Sequence, residues 1–173
     1  MRPPGAPLRV ALAQVHCPWA DRDGNLERMG GWAERAKSGG AQLVVFPELC
    51  VPGICKDERL ASVSEALDGP SLEGVRALAR RLEVAIGFGF SEKADGLPYN
   101  AYAVVEPDGA LAGVYRKNHI PKLEVPFWQA HTARPVFEVL GRRLGVSLCW
   151  DNTYEELLAH YAEHAEAVQP DYR

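Results

Sequence analysis

Residues 41–49, AQLVVFPEL, are apolar almost throughout, the pattern of a short strand buried on both faces rather than one with a wet side. Such a strand demands cover above and below. Upstream, LRVALAQV (8–15) is short, apolar and partly β-branched, which predicts a neighbouring strand. Between the two, NLERMGGWAERAKSGG brings Leu26, Met29, Ala33 and Ala36 onto one helical face and stops at Gly39 and Gly40, a C-cap signal. The chain therefore opens as a β-α-β unit.

The pattern then changes. From Ser71, a predicted N-cap, Leu72, Val75, Leu78, Ala79 and Leu82 recur at helical spacing, and VAIGFGF (84–90) returns as a glycine-spaced strand. NAYAVVEPDGALAGVYRK reads as two strands around EPDG, and RPVFEVLGRRLGVSLCW as a second hairpin around LGRR. Past it, Leu157, Leu158, Tyr161, Ala162 and Ala165 form a helical stripe. These elements predict an α/β protein with a mixed sheet, helices on one face, and a second face that something must cover. We read residues 1–173 as a single domain with a flexible lead-in over 1–7.

Composition narrows the partners. With 47% apolar and 24% charged residues and a net charge of −4 spread along the chain, no basic stripe is present to attract nucleic acid or an anionic bilayer. The N-terminus has no continuous apolar signal core and no stretch approaches a bilayer span, so a cytoplasmic location is expected. Four cysteines, at 17, 50, 55 and 149, are irregularly spaced and read as reduced thiols. Cys50 and Cys55 resemble half a zinc site, but no second Cys/His pair stands at ligand spacing, so no metal is expected. A redox or metal role for Cys50, Cys55 and Cys149 would require them to meet in space.

Three segments carry candidate chemistry. Cys149 stands where the apolar strand LGVSL gives way to a helix, close to unpaired amides and a positive dipole end that favour a thiolate. Taken alone, a cysteine after such a strand is more often a packed core thiol. Glu48 ends the AQLVVFPEL run, where Pro47 stops the strand; a carboxylate there is solvated, paired or used. Lys117, in YRKNHIP, follows the strand ALAGVY and reads as a fixed cation or as a solvated basic turn, with His119 a further candidate base. Thiol, carboxylate and ammonium together would attack carbonyl-like carbon, with no metal or organic cofactor required.

FPEL, YRKNHIP and SLCWDNTYEE, in this order, resemble the glutamate, lysine and cysteine motifs of the nitrilase, or carbon–nitrogen hydrolase, superfamily. The resemblance covers nearly the whole chain. It implies an αββα sandwich, with Glu48 as general base, Lys117 as stabiliser of the tetrahedral intermediate and Cys149 as nucleophile. It further implies that Glu124 positions substrate and lysine, that Asn100 supports the site, and that the Trp150 backbone N–H completes an oxyanion pocket. The implied reaction hydrolyses a small amide, nitrile or N-carbamoyl substrate through a thioester.

Two departures shape the remaining expectations. Glu155 stands where the family usually has a proline. The family's cysteine lies near mid-chain, whereas AEHAEAVQPDYR, after the last helical stripe, shows no apolar strand. The sequence thus predicts the first half to two-thirds of the sandwich, truncated after the cysteine motif. An apolar sheet face is then left uncovered, inviting a partner chain; a homo-oligomer is expected. The alternative reading is a non-catalytic fragment or interaction module that keeps the fold's first half.

Overall fold

A computed structural model describes residues 7–54 and 57–171, the last four of these as backbone alone; most of the expected lead-in and Cys55 lie outside the described residues. The opening β-α-β unit is present as β1 (Val10–Leu12), α1 (Arg22–Ser38) and β2 (Leu43–Val45). Both strands are shorter than their apolar text. Pro47 stops β2, and the remaining residues of each run continue as irregular chain toward the site described below. Asp21 caps α1, accepting a hydrogen bond from the Gly24 amide, and Gly39 closes it.

A short helix α2 (Leu60–Val63) precedes α3 (Pro70–Leu82). The cap of α3 differs from expectation. Gly69 is the N-cap and Pro70 opens the helix, while Glu65 accepts hydrogen bonds from both the amide and the hydroxyl of Ser71. Strands β3 (Ala85–Glu92), β4 (Tyr99–Val105) and β5 (Leu111–Arg116) complete a five-stranded sheet in the order β1-β2-β3-β4-β5. The first three strands are parallel; β4 and β5 are each antiparallel to their predecessor.

Alternation along the strands sends side chains to two cores. Val44, Ile86 and Phe88 pack under α1 and α3 against Met29, Ala33, Val75 and Ala79. Leu43, Val45, Ala85, Tyr102 and Tyr115 point the other way. That second face was expected to lie bare, and here the structure corrects the sequence reading. A second sheet covers it, made of β6 (Phe137–Val139), β7 (Arg142–Leu148) and β8 (Ala167–Asp171), with β7 antiparallel to β6 and parallel to β8. Phe137, Val139, Val146 and Leu148 fill the space between the sheets.

β8 occupies the text that lacks an apolar run. AVQPD pairs with β7 from Leu144↔Ala167 to Leu148↔Asp171, and its pairing comes from the neighbouring strand rather than from its own hydrophobicity. What stays open is narrower than expected: Val10 and Leu12 on β1, at 46% and 77% exposure, on the face opposite Ala11.

After β7 a 3₁₀ turn (Cys149–Thr153) leads into α4 (Glu155–His164), which starts at the glutamate where the family usually has proline. Leu157 and Tyr161 of its stripe are buried, whereas Leu158 and Ala162 face solvent. Among the described residues no helix is long and apolar enough to cross a membrane.

Candidate active site

Strand direction brings distant residues to one end of the larger sheet. β2 and β5 run the same way, because two antiparallel steps separate β5 from β3, which is parallel to β2. Glu48, beyond β2, and Lys117, beyond β5, therefore leave the sheet at the same end. Asn100 reaches it from the start of the oppositely directed β4, opposite Ser91.

The side chains meet there. Lys117 Nζ donates to Glu48 Oε1 at 2.9 Å and lies 3.6 Å from Glu124 Oε2. Asn100 Nδ2 donates to the same Glu48 oxygen at 2.5 Å. All four residues are buried, Lys117 completely. Backbone bonds fix the lysine: its N–H donates to the Asn100 carbonyl and its carbonyl accepts from the His131 amide. Glu124 sits in the loop after β5, where its own carbonyl accepts from Phe127 and Trp128. Arg116, beside the lysine, turns to the other side, where its guanidinium makes two bonds to Glu92 and lies over the Tyr99 ring.

The Glu48 loop needs a gap in β3. Gly89 supplies it: a Cβ built there would fall on the Leu49 amide nitrogen and 2.8 Å from Glu48 Cα. Leu49 itself takes a left-handed φ of 53°, so the chain turns sharply just after the carboxylate.

Cys149 arrives from the second sheet. It is half-buried, follows the last residue of β7, and has a φ of 47°, rare for a residue with a Cβ. The turn that it opens is tied to the lysine's strand by Asp151. That fully buried carboxylate accepts from Tyr115 Oη (2.7 Å) and Leu148 N (3.2 Å) through Oδ2, and from His119 N (2.9 Å) and Nδ1 (2.8 Å) through Oδ1. Trp150 is partly exposed, and its indole N–H donates to Tyr154 Oη. The first amides of such a turn have no acceptor within it.

Asp151 and Tyr115 escaped the sequence reading. The only signal was an acid at the third position of a turn after a strand, and its partners Tyr115 and His119 lie on and just after a strand of the other sheet. His119, a candidate base in the sequence, bridges Asp151 and Glu156 with its two ring nitrogens and stacks on Tyr154. Burial, and then the Asp151 charge, push the Tyr115 phenol far above its ordinary value. Cys50 lies in the core, its sulfur against Met29 and the Gly89 carbonyl. Trp128 packs against Leu49 and Leu60. Among the described residues no three His, Cys, Asp or Glu side chains gather as metal ligands.

Two facing sheets with helices outside thus carry a buried acid–ammonium cluster at one end of the larger sheet. The chain belongs to the carbon–nitrogen hydrolase family, whose model matches residues 9–169. It is 30% identical over 159 residues to a probable nitrilase of Schizosaccharomyces pombe, covering 88% of this chain and 58% of that protein. It is also 30% identical over 168 residues to an omega-amidase of Bos taurus, covering 91% of this chain and 60% of that one. The solved carbon–nitrogen hydrolase of Helicobacter pylori superposes with a TM-score of 0.85 at 26% identity, over 94% of this chain and 59% of the other. The chain thus spans somewhat under two-thirds of the length of these relatives.

Proposed function

We propose that this chain carries the catalytic centre of a cytoplasmic, cysteine-dependent hydrolase acting on a small amide, nitrile or N-carbamoyl compound. Glu48 takes the Cys149 thiol proton, and the sulfur adds to the substrate's carbonyl carbon. Lys117 Nζ and the Trp150 amide meet the negative charge that gathers on oxygen. Glu48 then gives its proton to the departing ammonia or amine, leaving a thioester. Water deprotonated by Glu48 adds to that ester and releases the acid and the thiol. A nitrile reaches the same thioester through a thioimidate and one further water. Glu124 and Asn100 hold lysine and base in place.

The observation that supports this reading most is the buried Glu48–Lys117–Glu124 cluster. Burying three ionisable side chains is costly, and here one ammonium faces two carboxylates away from water. The names of the relatives, nitrilase and omega-amidase, support carbon–nitrogen bonds and leave the acyl group open. The test is ammonia release from a panel of small aliphatic amides, nitriles and N-carbamoyl amines. Release that disappears in Cys149→Ala is expected; release that survives the substitution refutes the nucleophile assignment.

A second reading, a non-catalytic interaction module, draws on the exposed Val10 and Leu12 beside the open edge of β1. It calls for no ammonia release from any of these compounds, together with self-association into the expected homo-oligomer that Leu12→Lys disrupts.

A further inference from the structure

We infer that Asp151 is a positioning residue, whose carboxylate locks the Cys149 turn onto the strand end that carries Lys117. The inference rests on Cys149 being the nucleophile. Asp151 accepts from four donors at 2.7–3.2 Å, and they belong to three different parts of the chain. Leu148 is the residue before Cys149, so the bond that its N–H donates to Asp151 closes a loop around the cysteine. Tyr115 lies on β5 two residues before Lys117, and His119 two residues after it. One buried carboxylate thus grips both flanks of Lys117 and the near flank of Cys149.

The need for such a grip is visible in the backbone. Cys149 stands at φ 47°, a conformation that a residue with a Cβ keeps only where its surroundings over-determine it. The turn begins in the smaller sheet, whereas Glu48 and Lys117 leave the larger one. Pairing between strands fixes each sheet internally and says nothing about how their ends face each other. The Asp151 bonds cross that gap. His119 extends the connection to α4 through Glu156, with Arg134 3.9 Å from the same glutamate.

Coupling distinguishes positioning from a purely structural cap. The readout is the iodoacetamide alkylation rate of Cys149 in the 173-residue chain at pH 7, followed on the Cys149 peptide by mass spectrometry, so no turnover is needed. The proposed function sets Glu48 beside the sulfur as its base, so Glu48→Gln removes a neighbouring negative charge and alkylation should accelerate about fivefold. In the Asp151→Asn background the same Glu48→Gln change should alter the rate by less than about 1.5-fold, because the turn no longer holds the sulfur beside Glu48. Tyr115→Phe keeps the charge and removes one of the four bonds, and should reduce the Glu48→Gln effect to about twofold; it decides the question if Asp151→Asn fails to fold.

A full fivefold effect in both backgrounds overturns the positioning role and leaves the nucleophile reading standing. No effect of Glu48→Gln in the native background overturns the juxtaposition of Glu48 and Cys149, and the inference falls with it.

Discussion

Gly89→Ala is a sharp probe, because one methyl group tests how β3 makes room for the Glu48 loop. The added Cβ would fall on the Leu49 amide nitrogen and stand 2.8 Å from Glu48 Cα and carbonyl carbon. Ordinary carbon contacts begin near 3.5 Å, so strand or loop must retreat by about 1 Å. Overpacking of this kind costs about 1–3 kcal/mol. The retreat also stretches the 2.9 Å Lys117–Glu48 bond beyond hydrogen-bond length, and losing a charge-assisted bond adds about 1.5–3 kcal/mol. Together the loss should be about 2.5–6 kcal/mol in urea denaturation with an unchanged m-value. Gly31→Ala is the control: nothing lies within 4 Å of a Cβ at that helical position, and it should gain about 0.5–1 kcal/mol. A Gly89→Ala protein within about 0.5 kcal/mol of the native one would refute the close approach of β3 to the Glu48 loop.

The remaining predictions concern the buried charges and phenols. Lys117→Met strands Glu48 and Glu124 without their cation and should cost about 3–5 kcal/mol by denaturation, with part recovered when Glu48→Gln is added. A loss below about 1 kcal/mol would contradict the buried cluster. Burial raises the phenols of Tyr115 and Tyr161 above their unfolded values. The unfolded tyrosines release protons from about pH 10 while the folded ones keep theirs, so stability is full below that pH and falls as pH rises through it. Denaturation midpoints measured from pH 7 to pH 11 should show this decline, and Tyr161→Phe should flatten it.

The order of apolar runs and helical spacings was enough to read the β-α-β opening, both hairpins and the last helix, because each is written in its own residues. Glu48, Lys117 and Asn100 were legible for a related reason: they sit at strand ends within recognisable motifs, and strand direction brings those ends together. The second layer was harder. β8 carries a proline and polar residues and becomes a strand only because β7 offers it an edge. The roof over Tyr102 and Tyr115 is Phe137, Val139, Val146 and Leu148 of β6 and β7, a hairpin visible in its own residues; reading it as part of one mixed sheet rather than of a second one left that face bare. Glu65 capping Ser71 and Asp151 gripping His119 and Tyr115 are long-range pairings of polar side chains. No local period announces them, since their partners are chosen by how the layers stack.

Mass analysis of the chain after brief incubation with a small amide tests the central claim most directly. The account expects an acyl adduct confined to the Cys149 peptide, absent in Cys149→Ala and scarce in Glu48→Gln. An adduct on Cys17 or Cys50 instead, or ammonia released while Cys149 stays unmodified and replaceable, would contradict it.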